Sequence, residues 1–441
     1  MKKFLAVTLA LSWAGASILT SVKAEETTEA SNQTIEQRLA ILERKYEIAQ
    51  EEAAAKAKEG AGKVALKLSG YVQTDYRDYL SDADQSTDQF LLRRVRPSIE
   101  GTINKVVDFR ILPDFANGGG TTAGPTSSLL QDAYVELKTF PAFKIRAGKF
   151  KGPVSLERLQ SGTALNFVER AFPSSLAPNR DTGVQLSGDF GDGAFAYQAG
   201  VFNGVTDGTS GETDVTDGKD YIGRIFTHPF KKTIGFLQGL GLGVAASIGD
   251  QNGTATSAQL PAFRTNGQQT FFSYRSGDTF AFGDRTRISP QGYWYNNNKS
   301  LFGEYTLSTQ DVRRATTTTT TDSIANRAWV VAATWVLTGE KTSYRGVKPK
   351  NPFDPKTGGW GALELAGRYS ELRVDSKAFP RYASIATSAQ RAKAWTGGFN
   401  WYLNEAVKVV SNYEYTIFEG GATVGNRRPE RAILSRVQLV Y

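Results

Sequence analysis

Apolar and polar side chains alternate through repeated segments from Lys63 to the C-terminal Tyr441. In the first segment Val72 and Tyr76 fall on one face, while Gln73 falls on the other. A period of two residues is typical of a β-strand with one apolar face. Gly, Asn, Asp and Pro separate the segments, as expected for turns. The alternation therefore predicts an all-β fold with many antiparallel strands.

The segments allow a count of sixteen or seventeen strands. If there are sixteen, the 379 residues from 63 to 441 supply about 24 for each strand and its connection, which is plausible for an outer-membrane barrel. After the first strand, beginning at Val64, the predicted strands lie near 89–103, 105–115, 130–138, 142–150, 182–190, 194–203, 219–227, 239–250, 268–275, 279–293, 299–311, 326–338, 360–374, 391–404, 406–418 and 430–441.

Residues 1–24 have the composition of a secretory signal peptide. Lys2 and Lys3 precede an apolar run, which ends before the small-residue cleavage site at Ala24. The run is too short for a membrane helix, and no later stretch is apolar for the length that such a helix needs. The chain has no cysteine, so an exported protein of this sequence is not stabilised by disulfides.

The alternation alone fits either a membrane barrel or a soluble β-sandwich. In a membrane barrel the apolar side chains face lipid, so Trp395 and Phe399 would point outward and Thr396 and Asn400 inward. The signal peptide, the number of strands and the terminal Tyr441 favour the barrel. We therefore predict that residues 63–441 form a sixteen-stranded antiparallel transmembrane β-barrel in the Gram-negative outer membrane.

Residues 25–62 form a separate region, rich in glutamate, which we expect to lie in the periplasm. Its apolar positions follow a heptad pattern, which indicates a short helix. That helix is either an oligomerising coiled coil or a solvated amphipathic helix that pairs with nothing. The heptad positions are Ile35, Leu39, Leu42, Tyr46, Ala49 and Ala53.

A connection of roughly thirty residues interrupts the strand pattern within the stretch 146–188. It is too apolar for a disordered loop, and it is also basic. We therefore predict a loop that folds into the barrel and narrows the lumen with positive charge. Its apolar residues are Val154, Leu156, Leu159, Leu165, Phe167, Val168 and Phe172, and the basic residues in and beside it are Lys149, Lys151, Arg158, Arg170 and Arg180.

The positive charge belongs to the predicted barrel, which contains 44 basic and 35 acidic residues and so has a net charge of +9. Anionic solutes and lipopolysaccharide-like head groups are the expected partners of such a charge outside the cytoplasm. Export makes nucleic acid an unlikely partner, and outer-membrane lipid surrounds any barrel of this kind.

The sequence offers no usual set of catalytic residues. The single histidine, His228, precedes a proline at a predicted periplasmic turn, and neither a nucleophile with its base nor a zinc site can be assembled around it. Asp207, Asp214, Asp217 and Asp220 have a calcium-binding composition without EF-hand spacing, which favours a solvated extracellular loop. We expect no enzyme activity, cofactor or metal.

Several motifs, in their order and spacing, resemble the phosphate-selective porins O and P. The resemblance implies a sixteen-stranded homotrimeric porin whose third loop folds inward and whose lumen passes phosphate-type anions by diffusion. The motifs are KLSGYVQTDYR at 67–77, FLLRRVRPSIEGT at 90–102, LQDAYVEL at 130–137, AGKFKGPVSLERL at 147–159, NFVER at 166–170, DTGVQLSG at 181–188 and NWYLNEAVKVVSNYEY at 400–415.

The resemblance also implies an anion site of arginines with one acidic residue. A guanidinium presents a planar fork of donors to an oxyanion, and a nearby carboxylate weakens binding enough for release. A second interpretation makes these residues ordinary lumen charges, with Asp132 a salt-bridge partner. The predicted anion-binding residues are Arg93, Arg94, Arg170 and Asp132, with Arg96 adding to the field and Arg158 and Lys408 matching basic positions of the family's pore.

The sequence departs from the family in three respects. Tyr71 replaces an arginine, and Asp108 replaces a basic residue. The family's arginine-rich ladder on a central extracellular segment is reduced to something like Arg264, Arg275, Arg285 and Arg287. The predicted function is passive diffusion of small anions, with phosphate or polyphosphate preferred. One alternative is a general or sugar-permeable porin, in which Tyr71, Tyr134 and Tyr402 would line the lumen. Another is a structural or adhesive barrel with a closed lumen.

Overall fold

A computed structural model describes residues 41–51, 64–80, 87–116, 129–214, 216–233 and 235–441 of the protein. Residues 41–51 are helical, and both Leu42 and Tyr46 are exposed. The predicted signal peptide, the linker and the rest of the heptad pattern lie outside the described residues, so the coiled coil stays a prediction. No helix in the described part of the chain combines the length and apolarity needed to span a bilayer.

The described residues contain sixteen strands that close into one antiparallel barrel, as predicted. Strand β1 pairs with the last strand, β18, and this pairing leaves no free sheet edge. The strands, with two short ones outside the barrel (β10 and β11), are β1 (Val64–Tyr79), β2 (Gln89–Ile103), β3 (Val107–Pro113), β4 (Leu130–Phe140), β5 (Phe143–Phe150), β6 (Asp181–Phe190), β7 (Phe195–Phe202), β8 (Asp220–Thr227), β9 (Leu240–Asn252), β10 (Phe263–Arg264), β11 (Thr270–Phe272), β12 (Thr279–Asn296), β13 (Lys299–Arg314), β14 (Thr317–Val336), β15 (Ala362–Arg373), β16 (Ala389–Tyr402), β17 (Val407–Gly420) and β18 (Glu430–Val440).

The segment near 268–275, predicted as a seventeenth strand, is not a strand of the barrel. Strand β11 in this stretch pairs only with β10, in a separate two-stranded sheet within the connection from β9 to β12. The adjacent Phe271 and Phe272 are both fully buried. A lipid-facing strand would bury only one of two such neighbours, so this segment belongs to the interior of the protein.

The two faces of the wall are those that the alternation predicts. Trp395 and Phe399 are exposed on the outer face, whereas Thr396 and Asn400 are buried on the inner face. Outside, apolar side chains meet lipid; inside, polar side chains meet one another and the segments that enter the lumen.

Several connecting segments of the described residues fold into the barrel, and we name three of them. The constriction loop (residues 151–180) joins β5 to β6, the upper segment (253–278) joins β9 to β12, and the lower segment (337–361) joins β14 to β15. The constriction loop and the upper segment share an apolar core with the inner wall. Its members include Phe172, Leu176, Phe263, Phe271, Phe272, Val312, Ile324, Leu372, Ala392 and Phe418.

Candidate functional site

The constriction loop has a defined local structure. A short helix, Leu156–Leu159, begins after Ser155, whose hydroxyl accepts a hydrogen bond from the backbone N–H of Arg158. A 3₁₀-helix follows at Phe172–Leu176, with a proline in its first turn. These turns bury the loop's apolar side chains, which explains why so long a connection is ordered, as predicted.

The barrel wall binds the backbone of the constriction loop through buried polar side chains. Lys408 on β17 donates from Nζ to the carbonyl oxygens of Thr163 and Leu165, at 3.2 and 2.8 Å. On the same strand, Asn412 Oδ1 accepts from the N–H of Val168 at 2.7 Å. Lys408 was predicted to bind anions; in the structure it contacts the loop that shapes the pore.

The lower segment supports the constriction loop as well. The hydroxyl of Tyr344 donates to the carbonyl oxygen of Leu156 at 2.5 Å, and Gln160 donates from Nε2 to the carbonyl oxygen of Tyr344 at 3.0 Å. Contacts with the wall, the upper segment and the lower segment thus fix the loop. Such fixation is needed to hold side chains at a constriction in one geometry.

Between the constriction loop and the upper segment lies a cavity of about 430 Å³ with a strongly basic lining. Arginines come from strand β2, from the constriction loop and from β10 of the upper segment. The charged side chains that line it are Arg93, Arg94, Arg158, Glu169, Arg170, Asp207 and Arg264.

Two consecutive arginines of β2 reach this cavity because the strand's alternation inverts there. Phe90 and Leu92 are exposed on the outer face, yet Arg94 and Arg96, also at even positions, are buried on the inner face. Successive residues of a regular strand point to opposite faces. The inversion lets Arg93 line the same cavity as Arg94.

Among the described residues, Glu169 is one of two carboxylates that line the cavity, the other being Asp207. Glu169 Oε1 accepts from Arg93 Nε at 2.7 Å and from Arg77 Nη2 at 3.0 Å, and Arg436 Nη2 lies 4.0 Å away. Arg436 also forms a bidentate pair with Asp75, at 2.6 and 2.7 Å. One carboxylate is therefore shared among arginines of the wall, and it holds Arg93 against the loop.

Arg94 and Arg170 differ from Arg93 because no carboxylate lies within 4.0 Å of either in the described part of the chain. Arg94 donates to Gln73 Oε1 at 2.7 Å. Arg170 donates to the carbonyl oxygens of Glu157 and Gln160, at 2.9 and 2.8 Å. These neutral acceptors orient both guanidiniums without neutralising their charge.

Arg158 is in a similar situation, since its Nη2 donates to the carbonyl oxygen of Ser174. Burial, with Arg170 and Arg180 nearby, lowers the pKa of Arg158 to about 9. Burial and the charge of Arg180 likewise lower the pKa of Arg170 to about 10. Both guanidiniums stay charged at neutral pH and repel each other. A bound anion would reduce this repulsion.

Two other predicted site residues do not line the cavity. Asp132 accepts from Arg180 Nε at 2.8 Å and lies 3.5 Å from Arg110. Arg96 donates to Asp114 Oδ2 at 2.8 Å and to the Tyr71 hydroxyl at 2.9 Å. Each is paired close to the cavity, so their contribution to anion binding stays a prediction.

The aspartate-rich stretch between β7 and β8 is only partly the solvated loop that we expected: Asp214 and Asp217 are exposed, but the other two aspartates are not. Asp207 and Asp220 are buried, and Arg287 donates to both, at 2.6 and 2.9 Å. Arg285 donates to Asp220 at 2.9 Å. These ion pairs bind the connection to β12, the strand that carries both arginines. The contact could not be predicted from the sequence, because the arginines and aspartates are far apart along the chain.

Sequence reasoning missed three charged cavity residues as members of the anion site: Glu169, Asp207 and Arg264. Glu169 immediately precedes Arg170 in the NFVER motif, so its proximity to a site residue was available as a signal. Arg264 was identified only as part of a reduced arginine ladder, and the folding of the upper segment into the lumen brings it to the cavity that Arg94 and Arg170 line.

A closed barrel with an apolar outer face, a polar lumen and a loop folded into it defines the protein as an outer-membrane porin. More specifically, residues 66–415 match the family of phosphate-selective porins O and P, and the chain belongs to this family. Family and fold are those of a channel rather than an enzyme.

A relative agrees with this family, and solved structures agree with the fold. The chain is 24% identical over 374 residues to Porin O of Pseudomonas aeruginosa, covering 79% of this chain and 82% of that protein. Its fold resembles the outer-membrane channel DcaP of Acinetobacter baumannii (TM-score 0.55, 11% identity, 86% and 98% coverage). It also resembles an anion-selective porin from Comamonas acidovorans (TM-score 0.50, 12% identity, 86% and 100% coverage).

Proposed function

We propose that the protein lets small anions diffuse passively across the outer membrane, with phosphate or polyphosphate as the preferred solute. The observation that carries this proposal is the position of Arg94 and Arg170, which line one cavity without a carboxylate within 4.0 Å in the described residues. Their charge is available to a passing anion. The name of the family agrees with phosphate as that anion.

The mechanism follows from the charges around the cavity. Basic side chains raise the local concentration of anions, and guanidinium forks replace part of the water that an oxyanion loses. Glu169 limits the attraction, because conduction requires that the ion leave again. The constriction loop sets the width, and no chemical step is involved.

A sugar-permeable porin is the competing function, and the tyrosines considered for it do not favour it. Tyr71 accepts from Arg96, and Tyr402 donates to Glu364 at 2.8 Å. Neither these two nor Tyr134 lines the cavity in the described part of the chain. A stripe of aromatic rings for stacking sugars is therefore not part of this site.

The test measures reversal potential and conductance of the purified protein in a planar bilayer under a potassium chloride gradient, with phosphate added. We expect anion selectivity and block by phosphate. Arg94→Gln and Arg170→Gln are each expected to weaken the block by about tenfold or more, since each removes charge-assisted hydrogen bonds of about 1.5–3 kcal/mol.

Arg224→Gln is the matched control, because Arg224 is a lumen arginine that donates to Gln291 and Gln198, both at 3.0 Å, and does not line the cavity. Its phosphate block is expected to stay as in the wild type. A block that survives in both cavity variants would remove this site from the mechanism. A conductance indifferent to phosphate would favour a general porin, and no conductance would favour the structural barrel.

Two further predictions are part of the same proposal: the homotrimer, which the family resemblance implies, and the periplasmic position of residues 25–62, which the sequence pattern predicts. The mass of the complex in mild detergent tests the first. Protease sensitivity of residues 25–62, expected only after the outer membrane is permeabilised, tests the second.

A further inference from the structure

Three arginines stand side by side on the outer wall of the barrel. Arg327 on β14 lies directly opposite Arg373 on β15, and Arg373 lies opposite Arg391 on β16. They face outward, because the adjacent Ala328 and Leu372 are buried on the inner face. Neighbouring strands are about 4.8 Å apart, and like charges placed directly opposite each other repel. The wall thus carries a row of positive charge that needs a counter-charge.

Neighbouring carboxylates supply only part of it. Glu371 and Glu419 lie 3.3 and 2.9 Å from Arg391. Within the described residues, no carboxylate comes within 4.0 Å of Arg327 or Arg373. We name as the outer arginine patch the residues Arg327, Arg373, Arg391, Lys393 and Arg431. Together with the two glutamates, the patch has a net charge of +3.

The patch lies at the level of the lipid head groups. Just below it on the same face runs a row of aromatic side chains, Trp329, Tyr369, Trp395 and Tyr415, with ring centroids 5.0, 5.0 and 6.0 Å apart in succession. Rows of this kind mark the boundary between hydrocarbon and water in membrane barrels. The patch is at the barrel end that carries the constriction loop, which is the extracellular end.

Below the aromatic row the outer wall has a shallow depression. Gly367 lies opposite Gly397 on one side and Ala333 on the other. A Cβ added at either glycine would meet no atom within 4 Å, so the surface there is open toward lipid. An acyl chain can lie in such a depression while its head group reaches the arginines above.

We propose that the outer arginine patch binds the phosphorylated head group of an outer-leaflet glycolipid. Arginine forks recognise phosphate oxygens, and basic clusters at the membrane surface bind anionic head groups. A second copy of the chain presenting the same patch would bring positive charge against positive charge. The site faces away from the lumen, so it is independent of the anion cavity.

The test uses the full-length protein in mild detergent and lipid A, a phosphorylated glucosamine disaccharide with acyl chains, with binding measured by native mass spectrometry. The double variant Arg327→Gln/Arg373→Gln is expected to bind roughly thirtyfold more weakly, at about fivefold for each basic residue near an anionic surface. The control Lys299→Gln/Lys356→Gln removes two exposed charges at the opposite end and is expected to bind like the wild type.

Unchanged channel conductance in the double variant shows that the barrel is folded. Equal lipid A binding by wild type and double variant would overturn the proposal. So would equal binding of lipid A stripped of its phosphates, or displacement of lipid A by millimolar inorganic phosphate, because the patch would then recognise acyl chains or free phosphate rather than a phosphorylated lipid.

Discussion

Replacing Glu169 by glutamine tests the charge balance of the anion cavity most directly. Glu169 Oε1 lies 2.7 Å from Arg93 Nε, and an anion bound on the far side of that guanidinium would be about 6 Å from the carboxylate. At an effective dielectric constant of about 40, one unit charge at about 6 Å changes anion binding by about 1.4 kcal/mol, a factor of about ten. The variant is therefore expected to be blocked by about tenfold less phosphate.

The assay is phosphate block of single-channel current, with Glu364→Gln as the matched control. Glu364 is also a buried lumen carboxylate, but it accepts from Asn166, Asn400 and Tyr402 and does not line the cavity. The block in this control is expected to change less than threefold. An unchanged or weaker block in a folded Glu169→Gln channel, or an equal gain in the control, would refute the reasoning.

Two further predictions concern the segments inside the barrel. Lys408→Met removes two hydrogen bonds to the constriction loop, each worth about 1.5–3 kcal/mol, and is expected to increase open-channel current noise. The control Lys348→Met removes an exposed ion pair with Glu405 and is expected to leave the noise unchanged. Phe172→Ala opens a cavity in the apolar core and is expected to lower the free energy of unfolding by about 3–5 kcal/mol, which heated gels would show as a lower unfolding temperature. The control is Phe236→Ala, at an exposed side chain. Equal unfolding temperatures for the two variants would contradict this core.

The sequence predicted the barrel because lipid imposes one rule on every strand. Each wall segment must alternate where it contacts lipid, so Trp395 and Asn400 could be assigned to faces without a structure. The rule does not apply to segments that fold into the lumen. There, Phe271 and Phe272 are both buried, and an apolar run that looked like a wall strand became part of the interior core.

The anion site was predictable only in part, for a related reason. Arg93, Arg94 and Arg170 were identified as candidates through motifs, but whether an arginine is paired depends on distant residues. Arg96 meets Asp114 and Lys408 meets the backbone of the constriction loop, and both contacts depend on the closed barrel. Composition shows an excess of positive charge; only the fold separates charges that hold segments in place from charges left available.

Strand β15 shows how the wall separates these uses of positive charge. Arg368 faces inward, where it donates to the carbonyl oxygen of Glu169 at 2.8 Å and lies 3.4 Å from Glu414. Arg373, five residues later, faces lipid beside Arg327. Because an odd spacing along a strand changes the face, side chains this close in sequence are separated by the wall. Changes at Arg373 and at Arg170 are therefore expected to act independently, the first on lipid binding and the second on anion block.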